Sequence, residues 1–459
     1  MKKLCALLFL LLLSTFSALA ANPVPAISQP LGPTSVPPAS ANFTLTVHGT
    51  GFVAGSVVNW NGSPRATNFV SASELTATVN SSDVASAGTN YITVTSPAPG
   101  GGTSSATPFT VRVPSSGLTF KKEKFTIGGK GVASVAVGDF NGDGKPDIAT
   151  LATYQKSVVV SVSISNGDGT LQPAQMYSLG LGLSSHKQVK LVAADLNGDG
   201  NLDLVVADGP VWVMMGNGNG TFQSATQYLA SCVCDGVVVT DVDSDGILDL
   251  VLGSQTKSGM NPVLLGNGDG SFHNGLSYAG GTKVMDMVGA DFNGDGILDV
   301  AVLPDPLLNQ VCVHFGNGNG TFTSGPCTLI STSSYIPRAI FAADFNGDGK
   351  ADLAVTPNYL FLGNGDGTFQ PRAISGNFQA ESFNAADMNG DNKLDLIFTT
   401  GQVLVGLEFV LGNGDGTFQP PIALPSSAGD LSTGVADLNG DGKLDVIVGK
   451  SFGPLQIQQ

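Results

Sequence analysis

The sequence predicts an all-β protein in which a seven-bladed β-propeller follows a β-sandwich. Three observations support this fold class. A nine-residue acidic pattern recurs seven times, a Gly-rich turn follows six of the copies, and the composition disfavours helices. Of the 36 acidic residues only four are Glu, and the other 32 are Asp, which prefers turns and metal loops to helix interiors. With 61 Gly and only 12% charged residues, the chain does not have the composition of an ordinary helical enzyme.

The first element, residues 1 to 20, has the order of a secretory signal peptide. Lys2 and Lys3 precede an apolar run from Leu4 to Leu13, and small residues end the segment at Ala20. A membrane anchor is the alternative, but the apolar run is shorter than the ~18 residues that a span needs. We therefore expect cleavage after Ala20, no transmembrane segment after cleavage, and a secreted or cell-surface location.

Residues 22 to 113 contain no acidic repeat and are rich in Ser, Thr, Pro and Gly. Alternating runs such as Phe43 to Val47 and Tyr91 to Val94 indicate several short strands, which in this length predict a β-sandwich. Trp60 is either a ligand-stacking platform or, as we favour, a core aromatic. A polar linker at residues 114 to 117 follows, so this unit is interpreted as a spacer or adhesion module.

The nine-residue pattern is Asp-x-Asn/Asp-x-Asp-Gly/Asn-x-x-Asp, and its copies are numbered here as loops one to seven. Consecutive copies start 43 to 56 residues apart, which suits one four-stranded blade per copy. Continuous apolar runs flank each loop, for example Val135 to Val137 and Leu204 to Val206. Such runs indicate strands buried on both faces, as in a sheet stacked between two neighbours, whereas a two-sheet sandwich would alternate.

Each acidic loop offers the oxygen ligands that Ca²⁺ requires. Side-chain oxygens fall at positions 1, 3, 5 and 9, a backbone carbonyl is available at position 7, and Gly at position 6 permits a sharp turn. Turn formation alone is the alternative, but seven copies with one spacing favour calcium over turns and over Mg²⁺. The sixth loop departs most, because Asn392 replaces Gly there. The expected ligands of up to seven Ca²⁺ ions are Asp139, Asn141, Asp143, Lys145, Asp147, Asp195, Asn197, Asp199, Asn201, Asp203, Asp241, Asp243, Asp245, Ile247, Asp249, Asp291, Asn293, Asp295, Ile297, Asp299, Asp344, Asn346, Asp348, Lys350, Asp352, Asp387, Asn389, Asp391, Lys393, Asp395, Asp437, Asn439, Asp441, Lys443 and Asp445.

A Gly-Asn-Gly-Asp/Asn-Gly turn follows six of the seven loops. Asn-Gly and Asp-Gly are strong hairpin signals, and Asn219 and Asn319 replace the acid found in the other copies, so a second metal site is disfavoured. The last blade has no such turn after its candidate third strand at Leu455 to Gln458. We therefore predict that residues 118 to 127 complete the blade that begins near Leu431, which closes a seven-bladed ring and removes exposed edges.

Four cysteines remain after the signal segment. Cys312 and Cys327 flank a Gly-rich turn almost symmetrically, so they could face each other across a hairpin and form a disulfide. The alternative is that the four cysteines are small buried residues. Cys232 and Cys234 are two residues apart and would form a strained ring, so we do not expect that bond. Neither pair has the spacing of a zinc site.

The acidic loops and the Gly-rich turns resemble the FG-GAP/VCBS repeats of integrin α-subunit-like propellers, and the resemblance covers residues 118 to 459. It implies a seven-bladed propeller with Ca²⁺ in the hairpins between first and second strands. Most repeats lack the full Phe-Gly-x-Gly-Ala-Pro motif. Thr44 to Phe52 and Val57 to Gly62 resemble IPT/TIG domains, although the Cys pair of antibody domains is missing. The resemblances imply a seven-bladed β-propeller preceded by an immunoglobulin-like β-sandwich.

The net charge of -16 disfavours a nucleic-acid partner. None of the four His lies in a known catalytic motif, so we expect a binding or adhesion module for an extracellular glycan or protein ligand. A lyase or hydrolase is the alternative, with His186, Lys187, Tyr335 and Arg338 converging. A display element without any pocket is the third interpretation. The default ligand surface is the face opposite the acidic loops, formed by residues Tyr177 to Lys190, Ser254 to Asn261, Pro304 to Gln310, Tyr335 to Arg338 and Asn377 to Glu381.

Overall fold

Strands account for nearly all regular structure in the computed structural model. It describes residues 22–115, 122–125, 130–154, 157–181, 189–304, 308–330, 337–356, 358–374, 380–400, 406–424, 430–450 and 455–458. Within these ranges there is no α-helix, and the described part of the chain holds no helix long and apolar enough to cross a membrane. The predicted signal segment, residues 1 to 20, lies outside the described residues.

Two sheets form the N-terminal part, and we call this part, with its flanking residues, the N-terminal sheets (residues 22–115). One has the order β1-β3-β7-β6, and the other has the order β2-β10-β8-β4-β5 with β9 paired to β8. A short 3₁₀ helix, Ser81–Val84, connects the two. The strands are β1 (Ala26–Gly32), β2 (Ser35–Val36), β3 (Phe43–Thr50), β4 (Val57–Trp60), β5 (Ser63–Pro64), β6 (Thr67–Ser71), β7 (Glu74–Val79), β8 (Gly88–Ser96), β9 (Gly102–Thr103) and β10 (Thr107–Val111).

The apolar positions of the alternating strands face one common core between these two sheets. Leu45, Leu75 and Ile92 are fully buried there. Trp60 belongs to the same core: only 3% of it is exposed, its ring centroid lies 5.1 Å from that of Phe109, and its Nε1 donates to Asn90 Oδ1. The core interpretation of this aromatic is therefore confirmed.

Seven four-stranded antiparallel sheets follow, and we call them sheets one to seven after the loop that each contains. Six of them are built from consecutive strands. Sheets one to three contain β12 (Lys130–Gly138), β13 (Asp147–Tyr154), β14 (Ser157–Ser163), β15 (Gln175–Leu181), β16 (Lys190–Ala194), β17 (Asp203–Ala207), β18 (Val211–Met214), β19 (Thr226–Tyr228), β20 (Cys234–Thr240), β21 (Asp249–Ser254), β22 (Val263–Gly266) and β23 (Phe272–Asn274). Sheets four to six contain β24 (Asp286–Ala290), β25 (Asp299–Leu303), β26 (Gln310–Gly316), β27 (Phe322–Leu329), β28 (Ile340–Ala343), β29 (Asp352–Val355), β30 (Tyr359–Gly363), β31 (Phe369–Ala373), β32 (Ala380–Ala386), β33 (Asp395–Thr400), β34 (Leu407–Val410) and β35 (Ile422–Leu424).

The seventh sheet joins the two ends of the repeat region. Its order is β11-β38-β37-β36, where β11 is Lys122–Phe125, β36 is Asp430–Ala436, β37 is Asp445–Lys450 and β38 is Leu455–Gln458. β11 pairs antiparallel with β38, with Glu123 opposite Ile457. The strand predicted at residues 118 to 127 therefore completes this sheet in its described part, and the strand predicted at Leu455 to Gln458 is also found.

Neighbouring sheets pack face to face, which accounts for the continuous apolar runs. All five residues of β17 are buried. Leu204 and Val206 pack with sheet one, whereas Val205 and Ala207 pack with sheet three. Because side chains alternate between faces along a strand, a strand between two sheets needs apolar residues at consecutive positions. The first strand of every sheet contacts the first strand of the next, and β36 contacts β12.

The structure contains two disulfides in its described part. Cys312 and Cys327 lie directly opposite each other in the ladder between β26 and β27, with Cα atoms 4.0 Å apart, as predicted. Cys232 and Cys234 are also bonded, so our expectation for that pair was wrong. A turn closed by the Cys232 N–H and the Leu229 carbonyl shapes the chain here, and the two Cα atoms lie 5.3 Å apart, within the usual disulfide span.

Candidate functional site

Each acidic loop connects the first strand of a sheet to the second, and two of its aspartates fix its path. In loop five, Asp344 at position 1 accepts hydrogen bonds from backbone N–H groups of its own loop, including that of Gly349 at 2.8 Å. Asp352 at position 9 accepts from Phe345 N at 2.9 Å with one oxygen and from Gly363 N at 2.8 Å with the other. The second bond ties the loop to the Gly-rich turn of the same sheet.

The same arrangement recurs through the chain. The position 9 carboxylate accepts the N–H of position 2 in all seven loops. In six loops it also accepts an N–H at the start of the Gly-rich turn, and the seventh sheet has no such turn. Loops and turns therefore lie at the same end of these six sheets, and the 35 predicted ligands assemble as seven separate sets of five.

Burial raises the pKa of the position 9 carboxyls, and the neighbouring carboxylates of the same loop add to this effect. The pKa rises to about 6 for Asp147 and Asp203. It rises to about 7 for Asp249, Asp299, Asp352, Asp395 and Asp445. The backbone hydrogen bonds oppose the shift. A cation bound in such a loop would favour the ionised form of these carboxyls.

The third loop fits a divalent cation best by its geometry. Carboxylate oxygens of Asp241, Asp243 and Asp249 lie within 4.8 Å of one another. The Asp243 Oδ1 atom is buried and has no hydrogen-bond partner in the described part of the structure. A buried carboxylate oxygen without a donor is unfavourable, and a hard cation with oxygen ligands would satisfy it. The donor set of this loop therefore suits Ca²⁺.

At position 7 only the backbone carbonyl is an expected ligand, but several loops carry a lysine there. Its ammonium lies near the position 5 carboxylate of the same loop. The Nζ to Oδ2 distance is 3.8 Å from Lys145 to Asp143, 3.9 Å from Lys393 to Asp391 and 4.0 Å from Lys443 to Asp441. These long, partly exposed pairs offset a small part of the acidic charge of their loops.

The N-terminal sheets hydrogen-bond directly to four of the loops, which was not predicted from the sequence. In loop four the bond joins backbone groups, Gly51 N and the Gly296 carbonyl, at 3.2 Å. In the other three loops a donor reaches the position 1 carboxylate. Val24 N donates to Asp241 Oδ2 at 3.1 Å, and Thr89 Oγ1 donates to Asp437 Oδ2 at 2.8 Å. In loop six, Thr34 Oγ1 donates to Asp387 Oδ2 at 2.8 Å. The departure at Asn392 is the one sequence signal that marks such a contact. We call loops three, six and seven the covered loops.

A cavity of about 1340 Å³ lies between the N-terminal sheets and the other four loops. The position 1 aspartates of loops one, two, four and five line it, whereas those of the covered loops do not. We call these four the open loops. Hydroxyl groups of the N-terminal sheets form part of the opposite wall, together with His48 and Tyr91. Burial and the nearby carboxylates of Asp437 and Asp139 raise the pKa of the Tyr91 phenol, so it stays neutral. The four open-loop aspartates are Asp139, Asp195, Asp291 and Asp344.

This cavity lies at the loop end of the sheets, whereas the ligand surface predicted from the sequence lies at the opposite end. Of the five segments expected there, only Ser254 to Asn261 lies wholly within the described residues. His186, Lys187 and Tyr335, proposed to converge with Arg338 in the enzyme alternative, lie outside the described residues. Arg338 is described, and its backbone N–H donates to Thr356 Oγ1 at 2.7 Å.

Comparisons with known proteins agree with the repeat arrangement. The FG-GAP-like repeat matches residues 151–206, 195–252, 241–302, 291–355, 356–398 and 401–448, and the FG-GAP repeat matches residues 131–165. Most of these segments run from the second strand of one sheet into the second strand of the next. No curated protein matches the chain.

Among solved structures, an auxiliary nutrient binding protein from Bacteroides ovatus has 10% identity, with a TM-score of 0.41, over 95% of this chain and 98% of that one. An auxiliary nutrient binding protein from Bacteroides thetaiotaomicron has 9% identity, with a TM-score of 0.38, over 95% and 97%. BBS1N, in complex with ARL6DN, has 13% identity, with a TM-score of 0.49, over 76% and 98%. The repeat matches cover more than half of the sequence, and the chain therefore belongs to the FG-GAP-like repeat family.

Proposed function

We propose that this protein is an exported, calcium-binding β-propeller that binds an extracellular glycan or protein ligand in the cavity between its N-terminal sheets and its open loops. In this proposal residues 1–20 are a signal peptide, residues 22–113 an IPT/TIG-like module, residues 114–117 a linker and residues 118–459 an integrin α-like propeller of seven blades. The contacts between successive inner strands, including β36 with β12, support the closed ring.

The cavity is the observation that carries the proposal. Its volume of about 1340 Å³ exceeds that of typical small-molecule pockets, so it suits several sugar units or an extended peptide segment. Hydroxyl, carboxylate and aromatic groups line it, and sugars are bound by such hydrogen-bonding groups together with a flat aromatic face. Tyr91 is the only Phe, Tyr or Trp side chain that the N-terminal sheets contribute to the described lining. We therefore favour a glycan.

The proposal includes calcium because the loops that line the cavity carry the expected calcium ligands. The expected ligands in the open loops are the carboxylates at positions 1, 5 and 9, the Asn oxygen at position 3 and the carbonyl at position 7. Bound calcium would neutralise loop charge and hold the loops in one conformation. The buried, unpartnered oxygen of Asp243 and the raised pKa of the position 9 carboxyls support a cation at this end of the sheets.

The test is a glycan array probed with the full mature chain in calcium. Tyr91→Ala is expected to lower binding at least tenfold, because it removes the aromatic wall of the cavity. Phe69→Ala is the matched control, since Phe69 is a 39% exposed aromatic of the N-terminal sheets outside the cavity lining. Equal effects of the two variants would contradict the cavity site. Release of shorter sugars from the bound glycan would favour the enzyme alternative instead, and binding only to protein would favour a protein ligand.

A further inference from the structure

The sixth loop differs from the others at position 6, where Asn392 replaces Gly. Asn392 has a φ of +66°, in the left-handed region in which the other loops place Gly, such as Gly349 at +81°. Because Asn tolerates this conformation better than most residues, the loop keeps its backbone path. The substitution thus adds a side-chain amide without changing the turn.

That amide binds the N-terminal sheets. Asn392 Oδ1 accepts a hydrogen bond from Ser35 N at 2.7 Å. Thr34 Oγ1, whose proton is donated to Asp387 Oδ2, lies 3.0 Å from the same oxygen. Ser35 is completely buried, so its N–H depends on this acceptor. The departure from Gly at this position is therefore explained by a contact with a segment more than three hundred residues away.

The positively charged side chain of Arg112 lies against the same loop. Only 5% of this residue is exposed. Its Nη1 donates to the Met388 carbonyl at 3.0 Å, and its Nη2 donates to the Asp387 carbonyl and lies 3.3 Å from Asp387 Oδ1. A Cβ atom at Gly390 would lie only 2.6 Å from Arg112 Nε, so this Gly leaves room for the guanidinium.

The Asp387 carboxylate has donors that the corresponding carboxylate of loop five lacks. Its own loop supplies Gly390 N and Asp391 N to Oδ1 and Asn392 N to Oδ2. The N-terminal sheets add Arg112 on Oδ1 and the hydroxyls of Thr34 and Ser35 on Oδ2. In the open loop five the described donors to Asp344 are four N–H groups of its own loop, and none of them is charged. The positive charge that a calcium ion would bring to loop six is therefore already supplied by Arg112.

We infer that the sixth loop binds the guanidinium of Arg112 in place of a calcium ion, so that this loop is the docking site of the N-terminal sheets and the chain binds at most six calcium ions. The count rests on the proposed function, because it assumes calcium in the other loops. The docking contact itself does not depend on calcium.

Counting bound calcium tests the assignment. The full mature chain is dialysed against calcium, and the metal is measured by atomic emission. The wild type is expected to hold six ions, Asp348→Asn five and Asp391→Asn six. The two variants are matched, because each residue occupies position 5 and accepts the N–H of a position 7 lysine, at 3.0 and 3.1 Å. Seven ions in the wild type and the loss of one in Asp391→Asn would overturn the inference.

Hydrogen exchange of the Ser35 amide tests the docking contact without calcium. Protection is expected to be equal in calcium and in chelator, and to fall at least tenfold in Arg112→Gln. Arg65→Gln is the control, since Arg65 pairs with Asp83 inside the N-terminal sheets and should leave Ser35 protected. Where Arg112→Gln does not fold, Asn392→Gly serves instead, because it restores the residue of the other six loops. Protection that depends on calcium and not on Arg112 or Asn392 would contradict the docking site. A wild type without any calcium would refute the proposed function, while the exchange result would still decide the docking.

Discussion

The covered loops and the open loops have nearly the same sequence but different surroundings. In the covered loops a group of the N-terminal sheets donates to the position 1 carboxylate, as Thr89 does to Asp437. Within the described residues, the position 1 carboxylates of the open loops receive no such donor and face the cavity. A repeated motif therefore specifies a repeated backbone shape, whereas the charge balance of each copy depends on what packs against it.

Calcium removal is expected to have the largest effect on stability. It should destabilise the repeat region much more than the N-terminal sheets. Ions bound only to the folded state stabilise it by about 2.7 kcal/mol per site at a hundredfold excess over Kd. For several sites the unfolding temperature should fall on the order of 20 °C. The measurement is calorimetry in calcium, after chelation and after calcium is restored. The N-terminal sheets contain no acidic loop, so Ser35 to Val111 should lose little protection from hydrogen exchange.

Metal analysis must show that the chelated sample is free of metal. If its unfolding temperature is nevertheless unchanged, calcium binding is contradicted in both classes of loop.

The second largest effect is the pH dependence of the stability of the calcium-free protein. Covered and open loops are expected to contribute equally to it. Asp395 of loop six and Asp352 of loop five both have a pKa of about 7, raised from 3.8 by burial. Because the folded-state pKa exceeds the unfolded value, this contribution to stability is fully present below pH 3.8 and is lost as pH rises through about 7. The chelated protein should therefore be more stable at pH 6 than at pH 8, by about 1 kcal/mol for each such site.

Urea unfolding at both pH values in chelator measures this difference. Asp352→Asn and Asp395→Asn should each reduce it by the same amount. Unequal reductions would mean that the difference between covered and open loops extends to position 9, and a chelated protein that is more stable at pH 8 would show the sign to be wrong.

Removing one carboxylate should distinguish the two classes of loop. Asp387→Ala leaves the buried guanidinium of Arg112 without its counter-charge, and breaking such a buried pair is worth about 3–5 kcal/mol. Asp344→Ala removes an acceptor only from N–H groups of its own loop, most of which are exposed, and about 1 kcal/mol is expected. Both are measured by urea unfolding in chelator, so that calcium does not contribute. Similar losses in the two variants would remove the distinction between covered and open loops at this position.

The smallest expected effect concerns loop seven. Thr89→Val removes the hydroxyl that donates to Asp437 Oδ2 and keeps the side-chain shape, so a loss of about 1 kcal/mol is expected. Thr103→Val is the control, because Thr103 is exposed and its hydroxyl bonds only to Thr95 in the described structure. Calorimetry of both variants in calcium measures the difference. A Thr89→Val protein as stable as the control would show that this contact does not contribute to the docking of the N-terminal sheets.

Local and periodic features could be predicted from the sequence. The strands around each loop, the Gly-rich turns and the pairing of β11 with β38 follow from patterns that repeat along the chain. Their physical basis is short-range, because turn residues, alternation and apolar runs act within a few neighbouring residues. The disulfide of Cys312 and Cys327 was also predictable, since a hairpin places residues symmetric about its turn opposite each other.

The position of the N-terminal sheets on the loops was decided only by the tertiary structure. Its contacts join residues that are 217 to 358 positions apart, and they use single residues such as Arg112 and Val24, which belong to no pattern. The sequence by itself determined seven acidic loops with one backbone path, because each loop makes its own hydrogen bonds. Which of these loops face a cavity and which face a buried arginine depends on the packing of two distant parts of the chain, and no local rule encodes that packing.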